Sequence, residues 1–253
     1  MPTHQPILDT LDTVLRANSV EDQWAMLLDI MVGYGFDRLF FASTRFGIDE
    51  HWGAKSDWLM LTNHQPEVVK SFIGESIYLE TAKIHSPPEG RPGAYSWSLR
   101  PLRAWDDMTV FEQKHREVCD RNNVVSGYTL WFPEICCRSK SVMGLCARPG
   151  LSQAEVDEGW KTHGSELWVL ANVVQLKLAA LPNPDLEKRL TNRQKQVLAW
   201  VADGKTGRDI AAIMGLSLVT VEKHLRQARE ALNVDTTAEA VKKAAMLNHL
   251  HFV

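Results

Sequence analysis

The amino-acid sequence predicts an α+β protein in two parts: an N-terminal α/β/α sandwich with helices on both faces of a largely antiparallel sheet, and a C-terminal all-α unit of four helices. Before residue 180, short aromatic and apolar runs alternate with amphipathic patterns of helical period, which is typical of mixed layers. After residue 190 the pattern is purely helical. Between them, Pro182 and Pro184 cannot continue a helix. We therefore expect an N-terminal domain at 1–180, a linker at 181–189 and a C-terminal domain at 190–253.

Each N-terminal element is predicted by a local pattern. Apolar residues from Trp24 to Met31 share one helical face, and a following glycine can end that helix. Pro66 suits the first turn of another helix. Ser152 and Glu155 form a capping-box pattern that begins a helix of about seven turns. A further helix is expected in "TVFEQKHREVCDRNN", strands in "DRLFFAST", "DWLMLT", "SGYTLWF" and "SVMGLCA", and a turn-rich loop in "SPPEGRPGAYSW".

The C-terminal pattern contains a tight turn between two short helices. Gly215 can turn the chain with a positive φ, and Ser217 can cap the helix that follows. Two short helices joined in this way form a helix-turn-helix. The four helices are predicted at Thr191–Asp203, Thr206–Met214, Ser217–Leu232 and Thr237–Asn248.

The second helix of this pair has two different sides. A stripe at i, i+4, i+7 and i+11 predicts the side that anchors it to its neighbours: Val221, Leu225, Ala228 and Leu232. Charged residues are predicted to project together from the other side: Glu222, Lys223, Arg226 and Arg229. A helix fits the DNA major groove, where Arg and Lys can donate to guanine. Lys205 and Thr220 lie near the starts of helices, where phosphates can be held. The alternative is an amphipathic helix whose charges simply face water.

The charge distribution agrees with an anionic partner for the C-terminal part. The whole chain of 253 residues has a net charge of −3. From Asp185 onward it has 11 Lys and Arg against 8 Asp and Glu, while the preceding part has 17 against 23. A basic C-terminal part that follows an acidic N-terminal part favours a polyanion-binding site in the C-terminal part.

Several other functions find no support in the sequence. There is no signal-peptide pattern and no apolar run of the ~20 residues that a membrane span needs, so we expect a soluble, cytoplasmic protein. The spacing of His, Cys and Asp predicts no metal site, and no catalytic motif is present, so we expect neither an enzyme nor a cofactor. Cys136 and Cys137 are adjacent to basic residues, as in a redox sensor, but a loop pair without a role is the simpler interpretation.

The stretch from Leu190 to Ala244 resembles the C-terminal DNA-binding domain of LuxR-type regulators without a gap. The resemblance implies a four-helix domain that binds DNA as a dimer, with Glu222, Lys223 and Arg226 reading bases and Lys205 and Thr220 contacting phosphates. The matching residues are Leu190, Thr191, Arg193, Val197, Leu198, Trp200, Gly204, Lys205, Ile210, Ala211, Ser217, Thr220, Val221, His224, Leu232, Val234, Ala240 and Val241.

This stretch also departs from the family pattern. Gln194 and Gln196 replace acidic residues, Ala231 replaces a lysine, and Thr237 replaces a late arginine. We expect these changes to remove internal ion pairs or a backbone contact.

The N-terminal part resembles the autoinducer-binding domain of quorum-sensing LuxR proteins. Trp97 in "YSWS" resembles the family's loop tryptophan, Gly127 and Thr129 resemble its glycine-containing strand, and Cys146 stands where Ser or Thr is common. In the family, a Tyr, a Trp and an Asp supply the polar contacts to an acyl-homoserine lactone. By spacing, these positions fall on Gln65, Val69 and Ala82, with Lys83 in place of the family proline; a shifted register would bring Glu80 or Thr81 to the Asp position.

Two interpretations of this pocket stay open. In the first, it binds something else through Gln65, Trp97 and Thr129, either a lactone with a different acyl group or an unrelated metabolite. In the second, its own side chains fill it and the protein dimerises without a ligand. In either case we expect a homodimeric transcription factor on an approximately palindromic operator, with RNA polymerase as a candidate partner. The alternative function is an antagonist that forms inactive heterodimers with a related regulator.

Overall fold

The computed structural model describes residues 5–47, 51–74, 91–99, 105–183 and 190–247. The chain divides into two compact units, Met1–Leu178 and Ala179–Val253. The helices are α1 (Gln5–Arg16), α2 (Val20–Gly33), α3 (Pro66–Gly74), α4 (Val110–Arg121), α5 (Gln153–Ala180), α6 (Asn192–Ala202), α7 (Gly207–Met214), α8 (Leu218–Leu232) and α9 (Thr237–Met246). The strands are β1 (Phe36–Thr44), β2 (Leu59–Thr62), β3 (Gly93–Ser96), β4 (Gly127–Trp131) and β5 (Lys140–Ala147).

One five-stranded sheet organises the first unit. Its strand order is β2-β1-β5-β4-β3, and all four pairings are antiparallel. Phe41 of β1 and Leu130 of β4 are both opposite Met143 of β5, so these three side chains lie on the same face of the sheet. The mixed α+β class and the antiparallel sheet are therefore confirmed.

Helices contact both faces of this sheet. On the face of Met143, α5 is joined to β5 by a hydrogen bond from Gln175 Nε2 to Ser141 Oγ at 3.2 Å. On the same face, Trp160 of α5 stacks on Tyr128 of β4 with ring centroids 3.9 Å apart. On the opposite face, α3 and α4 contribute buried side chains to a cluster with Cys146 of β5. The predicted sandwich layers are confirmed.

Two N-terminal elements differ from the sequence prediction. The loop predicted over 86–97 contains β3, because Tyr95 pairs with Thr129 on the neighbouring strand. Four residues are too few to show a strand pattern, so only the pairing reveals β3. The helix α1 was not predicted, although its apolar residues have helical spacing; Lys177 Nζ of α5 donates to the Leu15 carbonyl at 2.8 Å and so ties α1 to the unit. Within the described ranges, no helix combines the length and apolar content that crossing a membrane requires.

The second unit is all-helical, and its four helices lie within two residues of their predicted bounds. Each helix begins after a side-chain cap, supplied by Thr191, Thr206, Ser217 and Thr236. Three of the four predicted stripe residues on α8 are fully buried, and Leu225 is half-buried. Other fully buried residues of this core are Val197, Leu198, Ile210, Ala240 and Ala244.

Candidate functional site

The turn between α7 and α8 has the geometry of a helix-turn-helix. Gly215 ends α7 with φ 64° and ψ 36°, a left-handed conformation that glycine adopts without steric cost. Ser217 then accepts a hydrogen bond from the Thr220 N–H at 3.1 Å and caps α8. Ile210 of α7 and Val221 of α8 are packed together in one buried cluster, which fixes the two helices against each other.

The side of α8 opposite its buried stripe is exposed. Four residues there have the spacing i, i+4, i+7 and i+11, which places them on one face. We call these residues the outer stripe: Val219, Lys223, Arg226 and Glu230. Glu222 is exposed beside it. The outer stripe contains the two cations predicted to read bases, and both are accessible to a partner.

Arg226 has only a weak internal partner. Its Nε lies 3.8 Å from Glu230 Oε1, and the two side chains are 64% and 67% exposed. An ion pair this long and this exposed is worth roughly 0–1 kcal/mol. The guanidinium can therefore leave Glu230 for another acceptor at little cost.

Arg229 differs from the other charged residues predicted on this side. It is half-buried, and its Nη1 donates a hydrogen bond to Thr237 Oγ1 at 3.0 Å. The prediction that Arg229 projects together with Lys223 and Arg226 is corrected in this respect: the guanidinium links α8 to the first turn of α9. The threonine that replaces the family arginine is its acceptor.

The two predicted phosphate contacts lie at the starts of α7 and α8. Lys205 is exposed and directly precedes Thr206, the N-cap of α7. Hydrogen bonds from Thr206 lower the pKa of Asp209, which completes a capping box at that helix start. Thr220 is half-buried, with its Oγ1 at 2.8 Å from Ser217 Oγ. Their contact with DNA phosphates stays a prediction.

The departure at Gln194 leaves the local structure intact. The Gln194 Oε1 accepts from the Thr191 N–H at 2.8 Å, and Thr191 Oγ1 accepts from the Gln194 N–H at 3.3 Å. The glutamine thus makes both halves of a capping box. The expectation that this substitution removes a backbone contact is wrong, because an amide oxygen accepts the same hydrogen bond as a carboxylate.

Four predicted ligand-pocket residues lie together in the first unit. Trp97 Nε1 donates a hydrogen bond to Thr129 Oγ1 at 2.9 Å. Gly127 is opposite Cys146 in the β4–β5 register, and Trp97 packs on the cluster that contains the buried Cys146. Sheet pairing therefore gathers residues that are up to 49 positions apart. Their contact with a small molecule stays a prediction.

Gly127 is required by close packing. A Cβ at this position would lie 2.1 Å from the Leu145 carbonyl oxygen and 3.1 Å from Trp97 Cη2. Any side chain would therefore push apart β4, β5 and the tryptophan ring.

Polar side chains at the start of α5 hold this corner of the sheet. Gln153 Oε1 accepts from the Gly127 N–H at 2.8 Å, and Gln153 Nε2 donates to the Gly127 carbonyl at 3.1 Å. Ser96 Oγ of β3 donates to Asp157 Oδ1 at 2.6 Å. Burial raises the pKa of Asp157, but hydrogen bonds from Ser96, Gln153 and Tyr128 outweigh it, so the pKa of this carboxyl is lowered. The network fixes β3, and hence Trp97, relative to Gly127.

The remaining predicted pocket residues are placed differently. Gln65 is exposed just ahead of α3, and Val69 is half-buried. Val68, which the sequence analysis did not select, is the α3 residue buried in the cluster with Trp97. Adjacent valines give no signal of which one faces the sheet. Ala82 lies outside the described residues, as do Glu80, Thr81 and Lys83.

Taken together, the second unit has the capped helix-turn-helix and the exposed cationic stripe that are typical of a DNA-binding domain, and the first unit is a separate α+β fold. Residues 188–244 match the family model described as bacterial regulatory proteins, luxR family. The C-terminal domain is therefore a luxR-family domain, as the sequence resemblance predicts.

The relatives extend this likeness beyond one domain. The transcriptional activator protein CarR of Pectobacterium carotovorum subsp. carotovorum is 28% identical over 205 residues, which cover 76% of this chain and 80% of CarR. LuxR of Aliivibrio fischeri is 40% identical over 57 residues, covering 22% of this chain and 23% of LuxR. A crystal structure of Escherichia coli SdiA is 17% identical with a TM-score of 0.52 and covers 98% of both chains, which shows a shared fold. A second SdiA structure, in complex with octanoyl-rac-glycerol, is 15% identical with a TM-score of 0.50 over 99% of this chain and 98% of SdiA.

Proposed function

We propose that the protein is a sequence-specific DNA-binding regulator of transcription of the LuxR quorum-sensing type, acting as a homodimer on an approximately palindromic operator. One observation supports this more than any other. Within the luxR-family domain, α8 presents Lys223 and Arg226 on the side opposite its buried stripe. A helix with this arrangement can lie in the major groove while its apolar side stays attached to its own domain.

The proposed roles of the site residues follow from their positions. Lys223 and Arg226 donate to guanine edges, and Glu222 accepts from a cytosine amino group. Lys205 and Thr220 contact the phosphate backbone and position α8 without reading sequence. The hydrogen bond of Arg229 to Thr237 supports a mainly positioning role for that residue, in addition to any phosphate contact.

We further propose a division of labour between domains at 1–180 and 190–253, with 181–189 as linker. The N-terminal domains dimerise, which raises the effective concentration of the second DNA-binding domain at its half-site. Half-sites about one helical turn apart would match such a dimer.

We also propose that the ligand-pocket residues of the N-terminal domain depart from the family pattern that binds an acyl-homoserine lactone. At the two described positions that correspond to the family Tyr and Trp, Gln65 is exposed and Val69 is apolar. Thr129 already accepts the Trp97 N–H, so this pair satisfies part of its hydrogen bonding without a ligand. The protein therefore binds a non-standard small molecule or works without one.

DNA binding can be tested with the purified full-length chain. A random duplex pool is put through rounds of selection, and the enriched duplex is measured in a mobility-shift assay. We expect a palindromic sequence to be enriched and bound by this protein alone. Failure to enrich any sequence would contradict the regulator proposal and favour the heterodimer antagonist.

The ligand question needs a different measurement. Native mass spectrometry of protein purified from its own host distinguishes a dimer that retains a small molecule from a bare dimer. Octanoyl-rac-glycerol and an acyl-homoserine lactone are suitable probes to add to the bare form. A mass shift and a rise in melting temperature with the lactone alone would contradict the proposed departure from the lactone pattern.

A further inference from the structure

Val219 is an exposed apolar residue in the first turn of α8. Its side chain is 75% exposed, whereas the neighbouring Leu218 is 37% exposed. The position of Leu218 has an internal explanation, since its Cδ1 lies 2.9 Å from the point where a Cβ on Gly207 would be. A β-branched residue is also a poor choice for an exposed helix position on propensity alone. The exposure of Val219 is therefore not explained by the packing of its own domain.

The direction of Val219 connects it with the cationic side of α8. Val219 precedes the fully buried Val221 by two residues, which is about 200° around a helix. It precedes Lys223 by four residues and Arg226 by seven, so the three side chains share one face. Val219 is the apolar member of the outer stripe and lies at its N-terminal end.

We propose that Val219 contacts the C5-methyl group of a thymine in the major groove and so specifies a T·A pair in the operator. This inference rests on the proposed DNA-binding function. The thymine methyl group is the apolar feature of the major-groove edges, and small apolar side chains recognise it. An isopropyl group has no donor or acceptor for any other base or for a phosphate. The N-terminal residues of a recognition helix are the ones that reach base edges.

The charges beside Val219 favour DNA over a protein partner at this face. The exposed cations Lys223 and Arg226 share the face, and Lys205 is exposed at the start of the preceding helix. These cations complement the phosphates that flank a groove. An apolar protein surface would instead have to desolvate them without neutralising them.

The test removes one methyl group at a time from the DNA. Each thymine of the selected duplex is replaced singly by deoxyuridine, and the dissociation constant of the full-length protein is measured by mobility shift. Burying one methyl is worth about a three- to fivefold change in affinity. We expect such a loss at one thymine in each half-site for the natural protein, and a clearly smaller loss at the same thymine for Val219→Ala, which keeps only the Cβ methyl group.

Two control variants make the outcome specific. Leu218→Ala changes an adjacent apolar residue that packs on Gly207, and it should keep the deoxyuridine penalty. Val219→Thr keeps the shape and one methyl group, and it should keep part of the penalty. Circular dichroism melting checks that each variant is folded.

Each outcome has a separate meaning. If the protein selects a duplex but binds the deoxyuridine forms as tightly as the thymine form, Val219 does not read a methyl group. A penalty that persists undiminished in Val219→Ala also overturns the inference, because another residue must then make the contact, and Val219 is left for a protein partner. If no duplex is selected at all, it is the DNA-binding function that fails.

Discussion

Replacing Arg226 by alanine should separate folding stability from DNA binding. The side chain is about two-thirds exposed, and its partner Glu230 is 3.8 Å away and equally exposed. In a helix, Arg placed four residues before Glu is the less favourable order, and such pairs are worth a few tenths of a kcal/mol. Alanine has the highest helix propensity. We therefore expect Arg226→Ala to change the free energy of unfolding by less than about 0.5 kcal/mol.

The same substitution should weaken DNA binding much more. Loss of a bidentate guanine contact costs about 1–3 kcal/mol per half-site, a factor of roughly 5 to 150. The guanidinium gives up only a weak ion pair with Glu230 when it binds DNA. The loss of affinity in Arg226→Ala should therefore be close to the full value of the guanine contact. The assay is a mobility shift on the selected duplex and on duplexes changed at each base pair. The preference for guanine should relax at one position in each half-site.

Two matched variants control for charge. Lys242→Ala removes an exposed cation from α9 rather than from the outer stripe, and it should leave sequence preference unchanged. Glu230→Ala removes the partner of Arg226 and an anion from the face that is proposed to meet DNA, so affinity should rise slightly. If Arg226→Ala binds every duplex as tightly as the natural protein, Arg226 is not a base-reading residue and the orientation proposed for α8 is refuted.

Three further predictions follow from described contacts. Lys205→Ala should weaken binding to all duplexes alike. Titration at several salt concentrations should show that the slope of log affinity against log salt becomes less steep by about 0.9 per lost phosphate contact. A loss of affinity confined to one sequence would contradict the phosphate role. Gly127→Ala should destabilise the first unit by about 3 kcal/mol, because the new Cβ would lie 2.1 Å from the Leu145 carbonyl oxygen. The assay is chemical denaturation, and an unchanged denaturation midpoint would show that β4 and β5 can move apart at this position without cost. The folded-state pKa of Asp157 is lowered, so its carboxylate contributes stability above the ordinary Asp pKa, and this contribution is lost as pH falls through the lowered value. Between about pH 2 and pH 5, the free energy of unfolding should fall less steeply with falling pH for Asp157→Asn than for the natural protein. Identical pH profiles would show that Asp157 does not contribute to the loss of stability in acid.

The C-terminal domain was largely predictable because its signals are local. A cap, a glycine and a period of 3.6 residues each act within a few positions, so the helix bounds and the buried stripe could be read directly. The partner of Arg229 could not be read in the same way, since Thr237 belongs to the next helix and the pairing depends on how α8 and α9 pack. The 75% exposure of Val219 likewise needed the structure, because the helical period places this valine away from the buried stripe but does not exclude contact with another helix.

The N-terminal domain was less predictable because its site depends on sheet pairing. The strand β3 has four residues and is defined by its register with β4, which no local pattern specifies. Val69 was selected by spacing from the family pattern, whereas the adjacent Val68 is the buried member of the cluster with Trp97; spacing along the chain does not give the helix phase, and contact of Val69 with a ligand stays a prediction. Trp97 and Thr129 were both identified from family resemblance, but the hydrogen bond between them is a tertiary contact.

Two of the departures from the family pattern preserve hydrogen bonds within the DNA-binding domain. Gln194 supplies the capping oxygen that an acidic residue would supply, and Thr237 accepts a hydrogen bond from Arg229 in place of contributing a cation. Both substitutions leave a neutral side chain that satisfies a partner within the domain. On the outer stripe, by contrast, Lys223 and Arg226 are exposed, and Val219 is 75% exposed, so packing within the domain does not account for this valine. The domain thus keeps its internal hydrogen bonds while Val219, Lys223 and Arg226 stay exposed, as the proposed contact of this face with DNA requires.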